Sequence, residues 1–127
     1  MDSPVLDSSA ILAVIFKEPG SERLAPLLQG ALLSTVNLAE VHTRLLLRGV
    51  PADFAWSRIL GMGCKVYPYD EGQARITAEL ITKTRPLGLS LGDRACLGLA
   101  ILRKATVYTT DHAWRSLALG IQIEVIR

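Results

Sequence analysis

The stretch Ser90-Leu91-Gly92-Asp93-Arg94-Ala95-Cys96-Leu97-Gly98-Leu99-Ala100, running on through residues 101–105 to Thr106-Val107-Tyr108-Thr109-Thr110-Asp111, decides the fold. Residues 90–104 are apolar or small nearly all the way round at helical spacing, which predicts a helix buried on every side. Residues 106–109 are β-branched and aromatic and predict a strand that stops at an acid. A buried helix feeding a short strand is half of a strand–helix–strand unit.

Outward from that stretch the same alternation repeats. Residues 4–6 lead a first strand that ends at Asp7. Residues 8–16 form a helix closed by Pro19 and Gly20, and residues 21–29 a second that Gly30 ends. Residues 31–36 read as a second strand. Residues 37–48 are a helix stopped by Gly49, and residues 51–62 another, with Pro51 near its first turn. A third strand spans 64–69. A long helix over 70–84 places Ala74, Ala78 and Ile81 on one face, and residues 85–89 form a loop. After the fourth strand come a short helix at 113–117 and a last strand at 121–126. Strands alternating with helices predict an α/β fold: a three-layer sandwich with a five-stranded parallel sheet and helices on both faces, built as one domain over residues 1–127. Right-handed crossovers bring the carboxyl ends of all strands to one edge, where such sheets bind ligands.

Composition agrees with a packed globule. The chain has 127 residues, 50% of them hydrophobic and 20% charged, which excludes disorder. No apolar run reaches membrane-spanning length, and residues 10–16 lack the flanks of a signal peptide, so a cytoplasmic protein without a membrane partner is expected. Cys64 and Cys96 sit in apolar company and read as reduced, buried thiols; no Cys/His spacing suggests zinc. The net charge of +2 is small. If four of the twelve acids converge in one pocket, however, the remaining surface is basic and suits a polyanion.

Four acids fall where the topology brings segments together. Asp7 follows the first strand and Asp111 the fourth. Glu40 lies in the first turn of the helix after the second strand, and Asp93 in the first turn of the buried helix. Each position also suits ordinary helix capping: Asn37 with Glu40 and Ser90 with Asp93 match capping boxes, and Asp53 and Asp70 are read as helix-start caps and nothing more. Convergence favours a further role. Four neighbouring carboxylates repel one another, which raises their pKa values unless a cation neutralises them. Carboxylates without imidazole or thiolate suit Mg²⁺ or Mn²⁺, and a divalent ion held by acids and water is suited to phosphodiester hydrolysis.

The segments VLDSSA, STVNLAEV, LGLSLGDRACLGLA and VYTTDHAW, in that order, resemble the motifs of PIN-domain ribonucleases, and most closely those of VapC-type toxins of bacterial toxin–antitoxin pairs. The resemblance covers essentially the whole chain. It implies a catalytic set of Asp7, Glu40, Asp93 and Asp111, with Asp7, Asp93 and Asp111 as metal ligands and Glu40 holding a weaker second ion or the attacking water. Ser8, with Ser9 next to it, Asn37, Thr109 and Thr110 match the supporting positions. The further acid that some members carry after the last one is absent; His112, Ala113, Trp114 and Arg115 stand there. One tightly bound ion is therefore expected. Partners implied are RNA, a cognate antitoxin and a second copy of the chain.

Arg85 and Arg94 flank Asp93 and are candidates for RNA phosphate contacts, as are Lys17, Arg44 and Arg48. His42 is expected at the surface or facing a partner, His112 at a helix start, and Trp56 and Trp114 in packing. Leu45, Leu46 and Leu47 in a row cannot all face one core, which points to an interface. A receiver domain fits poorly: Leu6 precedes Asp7 where an acid pair is needed, and no Lys follows the last strand. A haloacid-dehalogenase-type phosphatase needs an acid at Ser9. The alternative from another class is a catalytically silent PIN-like module that only binds protein or nucleic acid.

Overall fold

The computed structural model describes residues 3–127, so the first two positions of the expected domain lie outside the described residues. Five parallel strands form one sheet in the order β3-β2-β1-β4-β5: β1 (Val5–Leu6), β2 (Leu32–Ser34), β3 (Lys65–Tyr67), β4 (Val107–Thr109) and β5 (Ile123–Val125). Among the described residues six α-helices accompany them: α1 (Ser8–Ile15), α2 (Thr35–Leu47), α3 (Ala52–Leu60), α4 (Glu71–Glu79), α5 (Ile81–Thr84) and α6 (Leu91–Arg103). The expected α/β sandwich with helices on both faces is what forms.

Strand alternation divides the interior. Leu6, Leu33 and Tyr108 join a core with α1, α2 and α3, through Ile11, Val41, Leu45 and Ile59. Val5, Leu32 and Val107 point the other way, into a core with Leu97, Leu99 and Ala100 of α6, Leu80 and the fully buried Trp114. The chain winds β1–β2–β3 outward on one side, then returns to place β4 on the other side of β1. Strand order therefore reverses between β1 and β4, and their carboxyl ends lie side by side.

Several boundaries differ from expectation. Residues 21–29 form two 3₁₀ turns, Ser21–Arg23 and Ala25–Leu27, because Pro26 has no amide to continue an α-helix. The expected helix 70–84 divides at Leu80 into α4 and α5. There the Thr82 and Thr84 hydroxyls donate to the Glu79 and Leu80 carbonyls at 3.2 and 2.9 Å and compete with the backbone ladder. The expected loop 85–89 contains the 3₁₀ turn Arg85–Leu87, and the helix at 113–117 is the 3₁₀ turn His112–Ser116. Most consequentially, α2 starts at Thr35 rather than Asn37, since the Ser34 hydroxyl accepts the Val36 amide at 3.2 Å. Strand β2 is shortened to match, Asn37 caps nothing, and Glu40 sits in the second turn.

A testable packing contrast lies within α6. Leu97 is fully buried, whereas Leu102 is 47% exposed. Leu97→Ala is expected to cost about 2–5 kcal/mol, and Leu102→Ala no more than about 0.5, read as shifts in the urea midpoint at constant slope. Equal losses at the two positions would contradict the burial assigned to α6.

Candidate active site

The carboxyl edge at the β1–β4 reversal is organised around Asp7. As N-cap of α1, Asp7 accepts the Ala10 amide on Oδ1 at 2.8 Å. The Ser9 hydroxyl donates to the same oxygen at 2.7 Å, and the Thr109 hydroxyl donates to Oδ2 at 2.6 Å. Both hydroxyls are oriented in turn by backbone. The Thr110 amide donates to Ser9 Oγ and the Asp111 amide to Thr109 Oγ1, each at 3.0 Å. Asp7 is only 3% exposed, and it ties the end of β1 to the residues just beyond β4.

Glu40 is held from two other directions. Its Oε1 accepts the Ser8 hydroxyl at 3.0 Å and the Asn37 side-chain amide at 2.8 Å. Asn37 is buried and also donates to the Gly92 carbonyl at 3.1 Å, joining the starts of α2 and α6. A Cβ at Gly92 would displace the Glu40 carboxylate from the position in which Ser8 and Asn37 hold it. Asp93 completes the capping box expected with Ser90: its Oδ2 accepts the Ser90 amide at 3.0 Å, and its amide donates to Ser90 Oγ at 3.1 Å. Asp111 accepts the Ala113 amide at 3.0 Å and starts the 3₁₀ turn, much as expected for an N-cap.

These acids sense one another. Burial pushes the Asp7 carboxyl up to about 6; its three hydrogen bonds oppose this and the Asp93 charge adds to it. Asp93 is also raised, first by burial and then by the charges of Glu40 and Asp111, against the lowering effect of Ser90. Asp93 is thus the electrostatic centre of the set. A cavity of about 410 Å³ opens here, lined by Glu40, Asp93, Ser8, Ser9, Ser90 and Thr110 and also by Arg44, Glu18 and Arg127. Asp7 and Asp111 adjoin the cavity without lining it. Asp7 connects to its wall through Ser9, and Asp111 is exposed.

Among the described residues no three Asp, Glu, His or Cys side chains stand close enough to grip a metal ion between them. The donor set nonetheless fits a hard cation. Among the described residues Glu40 Oε2, Asp93 Oδ1 and Asp111 Oδ2 accept no hydrogen bond, and neither imidazole nor thiolate joins the set. Backbone amides hold the other oxygens of Asp93 and Asp111, and the Ser8 hydroxyl and Asn37 side-chain amide hold that of Glu40.

The remaining sequence candidates scatter. Arg94 does not reach towards a phosphate site beside Asp93; it donates to the Thr77 carbonyl at 3.0 Å, between α4 and α6. Arg85 is exposed in the turn ahead of α6. Arg48 stacks on the Phe16 ring at 4.4 Å. His42 is half-buried and meets the Trp56 ring edge-on at 5.1 Å. His112 is exposed at the start of its turn, and both cysteines are free. Sequence reasoning missed Gly92, Glu18 and Arg127. The contact at Gly92 spans 52 positions and leaves no local signal.

The raised Asp7 pKa gives the fold a pH signature. The native state holds a proton that the unfolded chain releases between the ordinary 3.8 and about 6. Stability therefore falls as pH rises through that window, by about 3 kcal/mol in all. In EDTA, thermal melts of the wild type should show this decline and those of Asp7→Asn should lack it. Parallel profiles for the two proteins would contradict the assignment of a protonated, buried Asp7.

The fold is shared with solved toxin–antitoxin proteins. Mycobacterium tuberculosis VapC20, described as a Sarcin-Ricin loop cleaving toxin, superposes with a TM-score of 0.73 at 16% identity, over 92% of this chain and 97% of that one. VapBC2 from Rickettsia felis, solved on a promoter DNA fragment, gives 0.69 at 21% identity over 96% and 97%. VapBC-5 from Mycobacterium tuberculosis gives 0.62 at 24% over 98% and 97%. No curated protein matches the sequence. The PIN-domain profile matches residues 5–119, from β1 to the approach of β5, and the chain therefore belongs to the PIN-domain family.

Proposed function

We propose that this protein is a Mg²⁺- or Mn²⁺-dependent endoribonuclease acting as the toxin of a toxin–antitoxin pair. One observation carries the reading: acids from four separate segments lie at the strand-order reversal, where the charges of Glu40 and Asp111 bear on Asp93 and that of Asp93 bears on Asp7. A binding module has no need of a buried carboxyl set beside further acids that repel it. The names of the similar structures, a Sarcin-Ricin loop cleaving toxin and toxin–antitoxin complexes, supply the substrate class and the partner.

Asp7, Asp93 and Asp111 would hold the ion, directly or through water. When bound, it supplies a lowered pKa for water and charge stabilisation for the phosphoryl oxygens. Ser9 and Thr109 fix the orientation of Asp7, so that its carboxylate need not reorganise during the reaction. Glu40, with Oε1 fixed by Ser8 and Asn37, keeps Oε2 available to orient the attacking water and take its proton. Water oxygen bonds to phosphorus, the P–O3′ bond breaks, and the departing O3′ takes a proton from solvent, so that the products are a 5′-phosphate and a 3′-hydroxyl. Arg85, exposed near the start of α6, is a phosphate contact outside the cavity.

The antitoxin and a second copy of the chain would share the surface of α2 and α3. Leu47 and Phe54 are 79% and 66% exposed there, with Leu46, Trp56 and Leu60 beside them, while Leu45 is buried. Leu38, His42 and Trp56 line a cavity of about 420 Å³ between the two helices.

The test is cleavage of total bacterial RNA with Mg²⁺ or Mn²⁺. The wild type should yield discrete fragments bearing 5′-phosphates, EDTA should stop the reaction, and Asp93→Asn should lower the rate by about 100-fold or more. That variant is isosteric and its side-chain oxygen still accepts the Ser90 amide, so its melting curve should remain cooperative. Undiminished cleavage by pure Asp93→Asn protein would overturn the catalytic assignment, and a wild type inert under every metal would favour the silent binding module.

A further inference from the structure

Glu40 and Arg44 stand one helical turn apart on α2, the spacing and order at which a carboxylate and a guanidinium ordinarily pair. Among the described residues they do not pair, and Arg44 joins no ion pair. Glu40 instead turns to Ser8 and Asn37, both of which bind its Oε1. Yet both residues line the same cavity. Asn37, Glu40 and Arg44 thus form a polar stripe along α2, beside the buried stripe of Leu38, Val41 and Leu45.

Apart from Arg85, which is exposed outside the cavity, the other arginines near the site are engaged. Arg127, which also lines the cavity, donates to Glu18 at 2.9 Å, so that pair brings little net charge to it. Arg48 lies over Phe16 and Arg94 on the Thr77 carbonyl. Arg44 is exposed, long enough to move, and the one cation lining the cavity without a carboxylate partner among the described residues.

We infer that Arg44 is the substrate-binding arginine of this site, taking an RNA phosphate next to the one that is cut. This rests on the nuclease reading. An acidic cavity repels a polyanion, and a free guanidinium one helical turn from Glu40 offsets that repulsion beside the reacting bond. The contact positions the strand and carries no base information, so it favours no sequence. Its effect therefore falls on binding, with the chemical step left to the acids.

The experiment has two arms. In the first, steady-state cleavage by Arg44→Ala is compared with wild type and Arg44→Lys. KM is expected to rise about tenfold with kcat nearly unchanged, and Lys should restore most of the loss, since a point charge suffices for one phosphate. In the second, single-stranded RNA is bound by Asp93→Asn protein, with and without Arg44→Ala, over a range of salt. The slope of log K against log salt should be shallower by about 0.7 without Arg44, the loss of one phosphate contact. An unchanged slope and KM would overturn the inference and leave Arg44 as a last-turn cation that serves the helix dipole, visible only as a lower Tm. A fall in kcat at constant KM would also overturn it. If the wild type cuts no RNA, the nuclease reading fails, but the salt slope still decides whether Arg44 holds a phosphate.

Discussion

The carboxylate of Asp7 is the constraint on which the rest of this structure depends. Five bonds converge on it or on its two hydroxyl partners: the Ala10 amide, Ser9 and Thr109 directly, and the Thr110 and Asp111 amides behind them. Together they start α1, end β1 and fix the chain beyond β4. A charge buried this deeply is costly unless donors surround it. Even with three of them the carboxyl retains its proton up to about pH 6. The edge of the sheet is therefore held in place by a group that would be more stable uncharged, an arrangement that serves a site more readily than a scaffold.

The other acids follow from that edge. Asp111 stands where it does because Thr109 Oγ1 accepts its amide. Asp93 and Glu40 come from α6 and α2, whose starts are joined by Asn37 and brought close by the missing side chain at Gly92. Capping bonds occupy one oxygen of Asp93 and one of Asp111, and two side-chain donors share one oxygen of Glu40. Capping and chemistry are not rival descriptions of these residues. The cap fixes one oxygen and leaves the other without a hydrogen bond.

Much of this was legible in the sequence, for identifiable reasons. The apolar surround of residues 90–104 and the β-branched run after it leave little choice but a buried helix feeding a strand, and both are found. Asp7, Asp70 and Ser90 cap where their residue types say they should. What failed was local competition. Ser34 took the N-cap that Asn37 was expected to fill, which freed Asn37 to bridge Glu40 and Gly92. Pro26 and the back-bonding threonines of α5 shortened helices whose apolar spacing alone looked continuous. The contacts of Arg94 and Gly92 are tertiary and lay beyond any window of sequence. Arg44 did carry a signal, its four-residue offset from Glu40, but only the turn of Glu40 towards Asn37 gives that offset meaning.

The central claim is that these carboxylates form one cation-binding unit with Asp7 at its root. It is tested most directly by titrating Mn²⁺ into the metal-free protein calorimetrically near pH 6, in two buffers of different ionisation enthalpy. The account predicts binding accompanied by release of a proton, because a cation must displace the one that Asp7 retains. It also predicts that Asp7→Asn weakens binding and abolishes the buffer dependence. Binding with no proton release, or binding indifferent to Asp7, would contradict it.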